Sequence, residues 1–124
     1  MSQDIIADVL NLIMNAKKAK KNSVETKRHS KLLLSVLAIA KLRKYIKDYK
    51  IQDGILRIEI ADVSGCNAIK PRFMVKVEDF DKYVKRYLPA KNIGIIIVST
   101  SKGLMTHQTA QDKKIGGSLI AYMY

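Results

Sequence analysis

Ile93-Gly94-Ile95-Ile96-Ile97-Val98-Ser99-Thr100-Ser101-Lys102-Gly103, followed at a distance by Gly116-Gly117-Ser118 and an apolar tail, is the stretch on which the fold turns. An unbroken apolar run reads as a buried strand, here Ile93 to Val98. Three hydroxyls, a lysine and a permissive glycine follow it. Small polar donors are thereby set at a strand end, where a phosphate, a substrate or a nucleic acid would be met.

The remainder of the chain supplies the surroundings of that strand. Residues 3–16 place Ile5, Val9, Leu12, Ile13 and Ala16 on one helical face, with Lys17-Lys18-Ala19-Lys20-Lys21 directly after. Asn22 to His29 reads as a short strand. Ser30 is an N-cap for a second helix running to about Lys47. Alternation around Asp53-Gly54 makes a hairpin of Tyr49 to Ala61. Asp62 to Pro71 reads as a joint, and Arg72 to Val77 as a strand. Glu78 to Leu88 reads as a helix stopped by Pro89. A helical turn from Thr106 to Lys113 and a strand from Leu119 to Tyr124 close the chain. The expectation is an α+β protein: an N-terminal α/β lobe over residues 1–62, helix-strand-helix-hairpin, packed on a β-rich C-terminal lobe over residues 63–124.

Charge narrows the function. The 124 residues carry 23 Lys+Arg against 11 Asp+Glu, a net +12. Residues 1–62 hold 13 basic and 7 acidic side chains and residues 63–124 hold 10 and 4, so the excess is shared evenly. Such a field attracts polyanions. Cys66 is the single cysteine, which leaves no disulfide framework and no cysteine-based zinc site. The chain has no apolar run of the roughly 18–20 residues that span a membrane. Its opening Met1-Ser2-Gln3-Asp4 lacks a basic leader, so a cytoplasmic protein is expected.

Serine catalysis at Ser99 or Ser101 would need a base and an orienting acid. Only His29 and His107 are available, and acids are sparse beyond Asp81. The spacing G-x-x-x-x-G-K-[ST] of a nucleotide-phosphate loop is also missing. No enzyme, no cofactor, no metal and no small-molecule substrate are therefore expected. Hydroxyls that meet phosphates and ribose 2′-OH groups, with Lys102 as a phosphate partner, suit RNA better. An ordinary polar turn satisfies the same residues. Tyr83, Tyr87, Tyr122 and Tyr124 read as packing residues.

Longer strings carry a resemblance. Ser99-Thr100-Ser101-Lys102-Gly103-Leu104-Met105-Thr106 with Gly116-Gly117 resembles the universal small-subunit ribosomal protein eight (S-eight) family. Asp4 to Asn11 and Ser30-Lys31-Leu32 resemble the starts of its first two helices. Gly65 to Phe73 and Lys85-Arg86-Tyr87-Leu88-Pro89-Ala90 look like its archaeal/eukaryotic branch. The resemblance implies a structural constituent of the small ribosomal subunit, a primary binder of an irregular stem in the central domain of 16S-type rRNA that supports assembly. It also implies neighbouring small-subunit proteins, notably protein five, and allows a second role as a translational repressor on an mRNA stem that mimics the rRNA site.

The RNA contacts it suggests are Ser99, Thr100, Ser101, Lys102, Gly103, Thr106, Gly116, Gly117, Ser118, Lys31, Lys70 and Arg72. Ser118 departs from the family, which carries a glutamate or an arginine after the two glycines.

Overall fold

The computed structural model describes residues 5–124 apart from Pro71, Phe73 and Lys91. The chain divides into two compact units, Met1–Cys66 and Asn67–Tyr124. Both combine helices with antiparallel sheet, the second being richer in strand, so the class is the α+β class expected.

In the first unit, α1 (Ile5–Lys18) buries Ile6, Val9, Leu10 and Ile13, a stripe at helical spacing. α2 (Lys31–Leu42) starts where the Ser30 hydroxyl accepts the Leu33 N–H at 3.1 Å, satisfying one of the helix's orphan donors. β1 (Ser23–Thr26), β2 (Ile46–Gln52) and β3 (Ile55–Ile60) form a sheet in the order β1-β3-β2. Its transverse rows alternate in character: Val24, Ile58 and Tyr49 share one row, and Glu25, Arg57 and Lys50 the next. One face is therefore apolar and the other charged, the pattern of a sheet covered on one side. α1 lies alongside β1 and α2 alongside β2. The exposed ion pairs Arg28–Asp8, Lys41–Asp48 and Arg57–Glu25 contribute little.

Several boundaries differ from expectation. The first helix runs on through Lys17 and Lys18, and the expected start at residues 3 and 4 lies outside the described residues. The first strand is shorter than Asn22 to His29. The second helix stops at Leu42, not Lys47, and β2 begins at Ile46. The cause is a backbone reversal at Lys44, whose φ is 67. Lys44 N–H donates to Lys41 O at 3.0 Å and Tyr45 N–H to Ala40 O at 2.9 Å, closing the helix in a Schellman cap. Glycine normally marks such a stop, and none is there.

In the second unit, β4 (Cys66–Ala68), β5 (Met74–Val75), β6 (Ile95–Thr100), β7 (Gly103–Thr106) and β8 (Gly117–Met123) make one sheet. Its order is β4-β8-β6-β7, with β5 also paired to β8. A 3₁₀ turn at Val77–Asp79 leads into α3 (Phe80–Tyr87), and α4 (His107–Asp112) follows β7. Phe80, Val84 and Leu88 recur every fourth residue and bury against Ile96, Val98 and Leu119. The four tyrosines pack against the same cluster. Tyr87 stacks on Tyr122 at 5.2 Å between ring centroids, and Tyr122 on Tyr124 at 6.2 Å.

The expected joint from Asp62 to Pro71 contains β4, a three-residue strand. The expected strand from Arg72 to Val77 is only Met74–Val75, with Pro71 and Phe73 outside the described residues. The expected helix from Glu78 is split into the 3₁₀ turn and α3. The main correction concerns the apolar run: β6 extends through Ser99 and Thr100, and an unexpected β7 pairs back on it. Cys66 is buried, with its S–H donating to Leu10 O at 3.6 Å, and burial pushes the thiol up to about 12. A thiol so raised is unreactive near neutral pH.

Candidate nucleic-acid interface

β6 and β7 pair as Val98 with Met105, Ser99 with Leu104 and Thr100 with Gly103, which leaves Ser101 and Lys102 as the turn. The hydroxyl stretch is thus a hairpin tip, not a free loop. Its φ angles are negative at Ser101 and Lys102 and positive at Gly103, where φ is 108. Glycine accepts that conformation without a Cβ penalty. Thr100 holds the turn from inside: its hydroxyl donates to Gly103 O at 2.9 Å and accepts the Lys102 N–H at 3.1 Å. Ser101, Lys102 and Gly103 are exposed, and Ser99 and Thr100 half-buried. Among the described residues, the Ser99 and Ser101 hydroxyls and the Lys102 ammonium have no partner.

The two glycines explain the placement of this hairpin. A Cβ on Gly117 would overlap the Ser99 carbonyl oxygen, and one on Gly116 the Val75 carbonyl oxygen. β8 therefore lies tight against β6 on one side and β5 on the other. The β6–β8 register shifts between Ile97, opposite Ala121, and Val98, opposite Leu119. Ile120 is the extra residue of this bulge. The shift sets Ser99 opposite Ser118, and β5 adds Met74 opposite Ser118. Leu104, Ser99, Ser118 and Met74 consequently form one row across four strands. The Ser118 hydroxyl donates to the Met74 thioether sulfur at 2.9 Å, and Met74 is 74% exposed.

Thr106 is buried and caps α4, its hydroxyl accepting the Thr109 N–H at 3.3 Å. His107 follows it at the helix start and is also buried, where Nδ1 accepts the Ile96 N–H at 3.1 Å. These residues hold α4 against β6 and do not reach the hairpin tip. Beyond the end of α4, Lys114 has φ 56 and closes the helix in the same Schellman geometry as α2. Lys113 and Lys114 are exposed just ahead of Gly116. Lys70 and Arg72 are exposed in the segment between β4 and β5 that leads to Met74. Lys31, exposed at the first position of α2, belongs to the first unit.

The structure thus brings together Ser99 to Gly103 and Gly116 to Ser118 at one end of the sheet. Sequence reasoning missed Met74, Leu104, Lys113 and Lys114 as their companions. The paired lysines before two glycines were a visible signal, whereas Met74 and Leu104 were not legible without the register. Among the described residues no three His, Cys, Asp or Glu side chains gather as a metal site. Among the same residues no helix is long and apolar enough to cross a membrane.

Residues 4–124 match the family described as ribosomal protein S8. The chain belongs to that family. A relative from Nanoarchaeum equitans (strain Kin4-M), the small ribosomal subunit protein uS8, is 43% identical over 129 aligned residues, covering 100% of both chains. The archaeal relative agrees with the branch suggested by Gly65 to Phe73 and Lys85 to Ala90. As an S8-family member the chain is a structural constituent of the small ribosomal subunit, a ribonucleoprotein component in translation.

Proposed function

We propose that this S8-family protein is a primary binder of an irregular stem in the central domain of small-subunit rRNA. Recognition falls to the C-terminal lobe, residues 63–124. The observation that carries the reading is the stapled β6–β7 tip. Thr100 holds the turn with its own hydroxyl, so Ser101 and Lys102 are presented at fixed positions with no side-chain partner among the described residues competing for them.

A rigid, narrow donor edge suits the wide, shallow minor groove of A-form RNA, where 2′-OH groups are displayed. Lys102 meets a phosphate, and Ser99 and Ser118 sit behind the tip in the row that Met74 extends. Gly116 and Gly117 act by bringing the strands together, and Thr106 by anchoring α4. Lys70, Arg72 and Lys31 add phosphate contacts. Neighbouring small-subunit proteins, protein five among them, complete the setting, and the protein works in the cytoplasm.

The test is filter binding to the chain's own central-domain stem, with a generic duplex of equal length as competitor. At about 0.15 M salt the long-range attraction of a +12 protein is damped. Strong preference for the stem is expected. Equal binding to both would leave charge alone as the explanation and defeat the proposal.

A further inference from the structure

The first unit contains a feature that recognition by the hairpin does not use. β1 and β2 both run antiparallel to β3, so both begin at the end where β3 finishes. There Ile60 N–H donates to Asn22 O at 2.8 Å, and Ala61 N–H to Tyr45 O at 3.2 Å. The turn out of α1 and the turn out of α2 therefore flank the same strand end. With one strand between them they lie about 10 Å apart, two strand spacings.

Both turns are built alike. Lys20 N–H donates to Lys17 O at 3.0 Å and Lys21 N–H to Ala16 O at 2.8 Å, the same pair of bonds that closes α2 around Lys44. Lys20 has φ 60 and Lys44 φ 67, the left-handed position that glycine fills without penalty. A lysine there is strained, and strain retained twice at matching positions points to use. The negative helix ends are already met by Lys17 and Lys18 in the last turn of α1 and by Lys41 in that of α2. The third such lysine, Lys114, stands two residues before Gly116 of the hairpin site.

Lys18, Lys20, Lys21 and Lys44 form no ion pair among the described residues. Among the described residues the nearby acids do not pair with them: Asp48 is held by Lys41 at 3.0 Å, and Glu59 and Asp62, near the end of β3, form no ion pair with these lysines. Leu42, 79% exposed, is the large apolar side chain in this region. Isolated exposed apolar residues are ordinary, and a protein interface would need a charge-poor core. A dense positive patch without such a core fits a phosphate backbone.

We propose that the turns after α1 and α2 form a second RNA contact, a sequence-independent clamp on a phosphate backbone in which Lys20 and Lys44 are kept at the expense of stability. The inference rests on the proposed function only for the class of polyanion.

The experiment compares the full chain with a Lys20→Gly/Lys44→Gly double variant by filter binding across a salt series and by thermal melting. Glycine relieves the backbone, so the melting midpoint should stay level or rise by a few degrees. Affinity for the cognate stem and for a generic duplex should fall by the same factor. The slope of log affinity against log salt should flatten by up to roughly 0.7–0.9 per lysine removed. Lys20→Arg/Lys44→Arg should keep the original slope. An unchanged slope and affinity in the glycine variant, or a loss confined to the cognate stem, would overturn the clamp. A lowered midpoint would overturn its stability cost. If the unmodified chain binds stem and duplex alike, hairpin recognition fails while the duplex slope still reads the clamp.

Discussion

Each unit has a tight hairpin, and the two turn by different means. β2 and β3 are joined by Asp53-Gly54, with φ of 54 and 76 at the two turn residues, so the backbone twist of the turn matches that of the strands. That turn is exposed, and a Cβ added at Gly54 would point into open space. β6 and β7 are joined by Ser101-Lys102, where the left-handed residue comes one position later, at Gly103, and the Thr100 side chain supplies the staple. The first hairpin is determined by its two turn residues. The second depends on a side chain, on a glycine beyond the turn and on Gly117 of a third strand pressed against its base. A hairpin of the first kind is a connector. One of the second kind leaves its turn residues free to be chosen for a ligand.

The sharpest way to break this contrast is Gly117→Ala. The added methyl would overlap the Ser99 carbonyl and come within 2.8 Å of Val98 Cγ1, so β6 and β8 must separate. Overpacking of this kind costs about 1–3 kcal/mol, and the backbone contact argues for the upper end. Urea unfolding should show the loss, with weaker binding of the rRNA stem beside it. Gly54→Ala meets no atom and carries only the penalty of its positive φ, about 1 kcal/mol. Equal losses at the two sites would show that the close approach of β8 is not what holds the second hairpin.

Gly103→Ala refines the comparison. Like Gly54, Gly103 has a positive φ and open space around it. Both substitutions should cost about 1 kcal/mol by urea unfolding. Only Gly103→Ala should weaken the stem complex, because only that turn presents the proposed contacts. Parallel losses in binding would remove the functional distinction between the hairpins.

The same contrast explains what could be read from the sequence. Asp53-Gly54 is a local signal and marked its hairpin correctly. β7 went unseen because a polar turn at Ser101-Lys102 does not say whether the chain pairs back after it, and the Thr100 staple is a side-chain bond that spacing does not reveal. The end of α2 was hidden for a related reason, since its left-handed residue is Lys44 and not glycine. β4 is three residues long and pairs with β8, which is remote in sequence. At the candidate site, the hydroxyl run and the paired glycines stood out. What they touch did not. The row that joins Ser99, Ser118 and Met74 exists because of the bulge at Ile120, and a bulge follows from competing registers rather than from any one residue.

Thr100→Val tests the staple with little change of shape. Valine keeps the branched volume and removes both hydroxyl bonds, for about 0.5–1.5 kcal/mol in urea unfolding. Lys102 is exposed, so its N–H released from Thr100 can turn to water, and the lower half of that range is expected. Binding should suffer beyond stability, with a larger loss for the cognate stem than for a generic duplex. Retention of full stem preference would mean that the tip is held by the strands alone.

The smallest expected change in stability comes from Ser101→Ala. Its hydroxyl is exposed and has no partner among the described residues, so the unfolding midpoint should shift by no more than about 0.5 kcal/mol in free-energy terms. Stem binding should nevertheless weaken by about 1–3 kcal/mol, the range of a lost specific contact. Thr100→Val changes both quantities and Ser101→Ala only one, so combining them separates presentation from contact. If Thr100 acts by presenting Ser101, the double variant should lose less stem affinity than the two single losses added together. Strict additivity would mean that Thr100 and Ser101 serve the RNA independently, and that the staple stabilises the turn without governing recognition.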